Sequence, residues 1–227
     1  MRQTGLFPTE KGHIGTDESG KGDYFGPLVV AGVYVPDKQE DVLKELGVKD
    51  SKRFSDKRVR EMADLVRKSY KHSVVAIGPE KYNELYSKLK NLNRILAWAH
   101  ARAIENILEE VACTQAITDQ FGDRLFVENA MMKKGKNIEL IQRPKAEEDM
   151  AVAAASILAR AEFLKRLYFL SQDFKIDLPK GSSPRSEEVG LELVEKLGAD
   201  VLEKVAKTHF KLTPRILDLV KEKSKAL

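Results

Sequence analysis

Two adjacent carboxylates, Asp17 and Glu18, stand where a short apolar segment gives way to a glycine-rich turn. Ionised carboxylates side by side next to a buried strand are unfavourable unless a cation neutralises them. A divalent cation with oxygen ligands does this, and Mg²⁺ is usually held by one or two carboxylates together with substrate phosphate. The pair therefore indicates metal-assisted phosphate chemistry, although a solvated surface turn would explain the same two residues.

The same turn contains a spacing that is typical of a nucleotide-binding P-loop. Gly15, Gly20 and Lys21 match the pattern G-x-x-x-x-G-K, but Gly22 follows where a P-loop carries the Ser or Thr that holds Mg²⁺. The two carboxylates would also lie inside the phosphate cradle and repel the phosphates. The sequence therefore argues against a P-loop.

Further acidic residues follow later segments. Asp119 ends a short apolar run, which suits a ligand at the carboxyl edge of a sheet and equally suits an Asp that begins a turn. Glu147, Glu148 and Asp149 precede an alanine-rich segment, where acidic residues also stabilise a helix N-terminus. The chain thus supplies candidate ligands in three places, if the fold brings them together.

The predicted elements describe an α/β protein. Apolar and β-branched runs predict strands at residues 13–16, 28–35, 73–77, 115–118 and 137–141. Apolar residues at helical spacing predict helices at residues 55–68, 92–111 and 151–170, and the chain beyond about residue 178 is predicted to be helical. We expect a central mixed β-sheet flanked by helices, with a helical C-terminal extension, in a single domain of residues 1–227.

Four sequence blocks in a fixed order resemble a known family. They are residues 15–28 (GTDESGKGDYFGPL), 49–52 (KDSK), 151–160 (AVAAASILAR) and 178–182 (LPKGS). Together they resemble the type 2 ribonucleases H, whose fold is RNase H-like. The similarity is greater to ribonuclease HIII than to ribonuclease HII, because HII proteins usually have Arg at the position of Lys21.

This resemblance implies a metal-dependent endonuclease that cuts the RNA strand of RNA–DNA hybrids and leaves 5′-phosphate and 3′-hydroxyl ends. It implies two Mg²⁺ or Mn²⁺ ions, roughly 3.5–4 Å apart, that activate a water and stabilise the departing 3′ oxygen. The implied catalytic and metal-binding residues are Asp17, Glu18, Asp119 and Glu147. Glu147 is assigned because an acidic residue after Lys-Ala is usual in the family, and Asp149 is the alternative.

The resemblance also implies contacts to the substrate. The implied substrate-binding residues are Gly20, Lys21, Gly22, Ser51, Lys52 and Lys180. The loop of residues 20–22 would sense the ribose 2′-hydroxyl, although its glycines would also serve merely to shape a turn. The other residues would contact phosphates and set the register. Ser156 and Arg160 lie one helical turn apart and are further candidates, but a tight helix–sheet contact explains Ser156 better.

Composition constrains partners and location. Lys and Arg exceed Asp and Glu by 39 to 35, and the pI is about 8.9, which only weakly indicates a polyanionic partner. The sequence contains no apolar run of membrane-spanning length and no apolar core of a secretory signal near its start. The single Cys113 cannot form an internal disulfide. We therefore expect a cytoplasmic monomer whose partner is the hybrid duplex.

Two rival functions follow from the same residues. The first is an HII-like enzyme that also cuts at a single ribonucleotide in DNA, for which the C-terminal half offers one tyrosine, Tyr168. The second is a protein that binds hybrids without cutting them. Many ribonuclease HIII proteins have an extra N-terminal domain that binds hybrids, and we expect this chain to lack it, because about a dozen residues precede the first predicted strand.

Overall fold

The computed structural model describes residues 11–48, 53–120, 124–131 and 134–225. Contacts between α-carbons divide the chain into two compact units. Unit 1 contains the described residues of Met1–Glu18, Val30–Val75 and Asn93–Ala161. Unit 2 contains those of Ser19–Val29, Ala76–Leu92 and Glu162–Leu227.

A five-stranded mixed sheet forms the framework, as the sequence predicts. Its strands are β1 (Gly12–Ser19), β2 (Leu28–Pro36), β3 (His72–Ile77), β4 (Gln115–Asp119) and β5 (Glu139–Arg143). Their order in the sheet is β3-β2-β1-β4-β5, and β1 pairs in parallel with β4, as β4 does with β5. The strand β2 is buried over its whole length except Pro36, as its apolar, β-branched sequence favours for a strand with neighbours on both sides.

Helices flank this sheet and form the C-terminal part of the chain. They are α1 (Glu40–Glu45), α2 (Asp56–Ser69), α3 (Pro79–Leu89), α4 (Leu92–Leu108), α5 (Arg124–Ala130), α6 (Met150–Phe174), α7 (Pro184–Leu197), α8 (Val201–Val205) and α9 (Leu212–Lys225). Among the described residues, short 3-10 turns lie at Asp37–Gln39, Gly135–Asn137 and Ala146–Glu148. Within the described ranges, none of the helices has both the length and the apolar character needed to cross a membrane.

Most predicted helices are present, with shifted ends. The α2 helix begins after Ser55, whose hydroxyl accepts a hydrogen bond from the Arg58 backbone N–H at 3.2 Å, as expected of a helix cap. The α4 helix ends at Leu108, three residues before the predicted end. Pro79 follows β3, as predicted, but it also begins α3, because proline at the first helical position loses no hydrogen bond.

In unit 1, two helices pack against β1. A Cβ atom at Gly15 would collide with the backbone of Ala151 and Val152, at the start of α6. On α4, Ile104 and Ile107 are buried in one apolar cluster with Ile14 of β1. The sheet and these two helices therefore fix the direction in which each β1 side chain points.

Unit 2 is organised around the segment that leaves β1. Tyr24 is fully buried, and its hydroxyl lies 3.0 Å from the Thr213 hydroxyl in α9. Phe25 forms an isolated antiparallel bridge with Ala206. The side chain of Lys207 is also fully buried and donates a hydrogen bond to the carbonyl of Gly26 at 2.7 Å. The C-terminal helices of this unit thus hold the residues that follow the glycine-rich turn.

Candidate active site

The predicted carboxylates of β1 and β4 lie at the same edge of the sheet. The parallel register pairs Thr16 with Thr118, so the next residues along the two strands are Asp17 and Asp119. Neighbouring strands are about 4.8 Å apart, and residues in matching positions point to the same face. The fold therefore places Asp17 and Asp119 side by side, although 102 positions separate them in the sequence.

Asp17 and Glu18 point to opposite faces of the sheet. The Asp17 carboxylate is hydrogen-bonded by the Ser156 side chain of α6. Glu18 points toward α4, where its Oε2 lies 3.4 Å from Nε2 of His100. The backbone N–H of Glu18 also donates to Oδ1 of Asp17 at 2.8 Å. Each carboxylate is thus held by contacts of its own.

His100 is a site residue that the sequence analysis did not identify. Its side chain is fully buried, and Nδ1 is 2.8 Å from the Thr16 hydroxyl and 3.4 Å from the Thr118 hydroxyl. These threonines fix the ring, so that the other nitrogen faces Glu18. The available signal was a histidine beside the apolar residues of the predicted helix 92–111, which helical periodicity alone assigns to the core.

The electrostatics of Asp17 and Glu18 favour a nearby cation. Burial, followed by the negative charge of Glu18, raises the pKa of Asp17 to about 6, despite the hydrogen bonds from Ser156 and the Glu18 backbone. A carboxyl group with this pKa is destabilised as an anion at neutral pH, and a nearby divalent cation would offset that effect. The donor set contains only oxygen atoms, which is the chemistry that Mg²⁺ and Mn²⁺ prefer. The residues present therefore fit the implied ions.

The structure separates the two candidates for the fourth carboxylate. The backbone N–H of Ala146 donates to Oδ1 of Asp119 at 3.4 Å. The backbone of the adjacent Glu147 therefore lies near the end of β4. Asp149 instead caps α6 by accepting hydrogen bonds from the backbone of Ala151 at 2.9 Å and Val152 at 3.2 Å. Its carboxylate also contacts His13, four residues before Asp17 on β1. Glu147 therefore stays the prediction for the cluster.

The predicted recognition loop, residues 20–22, lies in unit 2. Gly20 has a φ of +89°, which favours glycine, and a Cβ there would meet the Pro27 carbonyl oxygen. Gly22 has no neighbouring atom within 4 Å of the position of a Cβ, and Lys21 is exposed. The loop thus combines one constrained glycine with one open to solvent.

Another predicted contact residue, Lys180, is joined to this loop. Lys180 is exposed and precedes Gly181, whose N–H donates to Oδ1 of Asp23 at 2.6 Å. The Gly181 carbonyl accepts from the N–H of Tyr24 at 2.9 Å. Two hydrogen bonds therefore connect the Lys180 segment to the residues that end the loop. The remaining predicted contacts, Ser51 and Lys52, lie outside the described residues.

Ser156 and Arg160 each contact the protein itself. Ser156 bonds to Asp17, as described above, and acts on the site through that carboxylate. Arg160 donates through Nη2 to the Phe54 carbonyl and to the Asp56 carboxylate, both at 3.0 Å. The expectation of a helix–sheet contact for Ser156 agrees with this hydrogen bond, and Arg160 ties α6 to the start of α2.

Comparisons with known proteins identify the family of the chain. The family model described as ribonuclease HII matches residues 14–213. Ribonuclease HIII of Protochlamydia amoebophila (strain UWE25) is 48% identical over 208 residues, which are 92% of this chain and 69% of that protein. Ribonuclease HIII of Chlamydia felis (strain Fe/C-56) is 45% identical over 210 residues, which are 90% of this chain and 69% of that protein.

Solved structures show the same fold. The crystal structure of Bst-RNase HIII in complex with Mn²⁺ has a TM-score of 0.86 at 31% identity and covers 94% of this chain and 71% of its own. Ribonuclease H2 from Pyrococcus horikoshii OT3 has a TM-score of 0.80 at 21% identity, over 92% of this chain and 99% of its own, and supports the fold alone. Because the family model covers most of the chain and the relatives match over more than two thirds of their length, the chain belongs to the ribonuclease HII family and is a ribonuclease H.

Proposed function

We propose that the chain is an endonuclease that hydrolyses the RNA strand of RNA–DNA hybrids with the help of two Mg²⁺ or Mn²⁺ ions. The proposed catalytic and metal-binding residues are Asp17, Glu18, Asp119 and Glu147. The observation that carries the proposal is the register of β1 and β4, which makes Asp17 and Asp119 neighbours at one sheet edge. The hydrogen bond from Ala146 to Asp119 supports the inclusion of Glu147.

The chain's own residues position and polarise the carboxylates. Ser156 and the Glu18 N–H each occupy part of the hydrogen-bonding capacity of Asp17, and His100 restrains Glu18 from the opposite face. Asp17, Glu18, Asp119 and Glu147 would hold the ions, which would supply an activated water and offset the charge of the departing 3′ oxygen. Because the bond from phosphorus to the 3′ oxygen would break while water supplies the new oxygen on phosphorus, the products would carry 5′-phosphate and 3′-hydroxyl ends, and no side chain needs to form a covalent bond.

Recognition of RNA is proposed for the loop of residues 20–22. Its conformation at Gly20 and the open surface at Gly22 allow backbone groups to approach a ribose 2′-hydroxyl. Lys180, which is exposed, would contact a phosphate, and Ser51 and Lys52 are proposed to do the same. Such contacts make binding of the nucleic acid weaker at higher salt, because binding releases counterions from its phosphates.

The ribonuclease HII match supports a second candidate activity, cleavage at a single ribonucleotide embedded in DNA. The match also spans parts of both compact units, which supports one catalytic domain across residues 1–227. We further propose that the chain acts as a monomer in the cytoplasm, where its free thiol at Cys113 would remain reduced.

Cleavage of two labelled substrates tests the proposal. An RNA–DNA duplex and a DNA duplex with one ribonucleotide are incubated with Mg²⁺, with Mn²⁺ or with chelator. We expect metal-dependent cutting of the hybrid, and a loss of about 100-fold or more in Asp17→Asn, since an electrostatic contact to the transition state contributes on that order. The matched control is Asp41→Asn, an exposed residue paired with Lys44, which should cut normally.

Each other outcome has a defined meaning. Efficient cutting of both substrates would assign the second candidate activity to the chain. Metal-independent cutting, or full activity in Asp17→Asn, would refute the proposed mechanism. A chain that binds the hybrid but cuts neither substrate under any metal condition would instead be a binding protein.

A parallel series identifies the fourth carboxylate. Glu147→Gln should lose activity to the same degree as Asp17→Asn, whereas Glu148→Gln, an exposed neighbour, should not. Asp149→Asn should leave activity nearly unchanged, because Asn caps a helix about as well as Asp and the charge that is lost faces His13. A severe loss of activity in Asp149→Asn, with Glu147→Gln active, would transfer the role to Asp149.

A further inference from the structure

A second group of potential metal ligands lies away from the carboxylates described above. His13, Asp37 and Glu40 each offer one ligand atom, and these three atoms lie within 4.8 Å of one another. The hydrogen bond from the N–H of Asp37 to the carbonyl of Lys11, at 2.9 Å, brings the end of β2 beside the start of β1. Four residues of strand, about 13 Å, separate His13 from Asp17, so the two groups cannot share an ion.

His13 is buried and only one of its ring nitrogens has a hydrogen-bond partner. The residue is 7% exposed, and Nε2 lies 2.9 and 3.0 Å from the two carboxylate oxygens of Asp149. A carboxylate oxygen only accepts, so Nε2 carries the hydrogen. Among the described residues, no hydrogen bond reaches Nδ1, whose nearest ionic neighbour is Oε1 of Glu40 at 4.0 Å. In the neutral ring, Nδ1 therefore carries the lone pair, and its nearest ionic neighbour is the carboxylate of Glu40.

This arrangement is the one in which histidine binds metal ions. A ligating histidine almost always donates its other N–H to a carboxylate or carbonyl, which fixes the ring and makes the ligating nitrogen more basic. Here Asp149 is that partner, and it is itself fixed by the backbone N–H groups of Ala151 and Val152. One carboxylate oxygen each of Asp37 and Glu40 lies within 4.8 Å of a ring nitrogen of His13, and Oε1 of Glu40 is 4.0 Å from Nδ1, so an ion would be held there.

We propose that His13, Asp37 and Glu40 form a second divalent-cation site, and that Zn²⁺ is its ion. One imidazole nitrogen and two carboxylate oxygens, with water as the fourth ligand, match the tetrahedral preference of Zn²⁺. Mg²⁺ prefers oxygen ligands alone and fits the carboxylates at Asp17 better. The site joins β1, the end of β2 and, through Asp149, the first turn of α6. Its occupant therefore stabilises unit 1 and has no part in the proposed cleavage.

Titration of the full chain with Zn²⁺ tests this site. The double variant Asp17→Asn with Asp119→Asn serves as background, because it weakens the proposed catalytic cluster as a competing site. We expect one Zn²⁺ per chain by calorimetry, a rise in the melting temperature, and a visible absorption band when Co²⁺ is used as a probe. In the same background, His13→Gln should abolish binding, and Asp149→Asn should weaken it about 10- to 100-fold.

Two further variants keep the test decisive if His13→Gln fails to fold. Asp37→Asn combined with Glu40→Gln changes side chains that are exposed or half-buried, so the fold should persist while Zn²⁺ affinity falls at least tenfold. The matched control is Asp64→Asn with Glu61→Gln, which changes the same two residue types at exposed positions of α2 and should leave affinity unchanged. Absence of binding in the background protein would overturn the proposal, and so would affinity that survives the Asp37 and Glu40 changes.

Discussion

Substitution of Gly15 by alanine tests whether the contact between β1 and α6 positions the site. A Cβ at Gly15 would lie 2.7 Å from Cβ of Ala151 and closer still to the backbone of Ala151 and Val152. Carbon atoms pack best at about 3.5–4.0 Å, so the start of α6 must retreat by about 1 Å. Ser156, further along α6, would move with it and loosen its hydrogen bond to Asp17.

The expected consequences affect both rate and stability. A displacement of about 1 Å at a catalytic group costs about 100-fold in rate, so kcat for hybrid cleavage should fall by that factor. Overpacking should lower the free energy of unfolding by about 1–3 kcal/mol. Rates are measured on the labelled hybrid with Mn²⁺ and corrected for the folded fraction, which urea unfolding provides.

A matched glycine controls for the substitution itself. No atom lies within 4 Å of the position that a Cβ would take at Gly78, so Gly78→Ala should cost at most about 1 kcal/mol, through its place as the cap of α3. Its cleavage rate should equal that of the original chain. The reasoning is wrong if Gly15→Ala cuts hybrids at the original rate, or if its loss disappears after correction for unfolded protein.

Three further outcomes are expected. His100→Asn removes the ring that faces Glu18, and calorimetry should show Mn²⁺ binding that is about 10- to 100-fold weaker, whereas unchanged affinity would exclude a positioning role. Asp17→Asn should raise the free energy of unfolding in chelator at pH 8 by about 1–3 kcal/mol. Burial raises the pKa of Asp17 in the folded chain to about 6, so ionisation of Asp17 destabilises the fold above that pH. The stability gained by the substitution should therefore vanish below about pH 4. Burial lowers the pKa of Lys207 to about 7 in the folded chain, so the unfolded chain binds more protons than the folded chain between about pH 7 and 10.5. The free energy of unfolding should therefore rise with pH across that window. Urea titrations of Lys207→Met should lack this rise.

Local patterns predicted the strands and the longest helices. The β-branched run of β2 and the alanine-rich stretch of α6 are long and strongly patterned, so local preference and burial agree. The α3 helix was missed, because the Gly78-Pro79 pair that ends β3 was interpreted only as a terminator. Pro79 follows the end of β3 and also begins α3, and the second role can be recognised only from the residues that come after it.

Residue types and their local order were enough to indicate the chemistry: adjacent carboxylates at a strand end, a glycine-rich turn, and blocks that resemble ribonuclease HIII. Which groups meet depends on the fold. Asp119 joins Asp17 because β4 inserts beside β1, and His100 reaches Glu18 because α4 packs on the face opposite α6. Strand order and helix placement depend on packing between residues far apart in the chain, whereas periodicity reports only which side of an element is buried. The preference for Glu147 over Asp149 also depends on the fold, because the two acids are near neighbours in the sequence. Asp119 contacts the residue before Glu147, whereas the Asp149 carboxylate contacts His13.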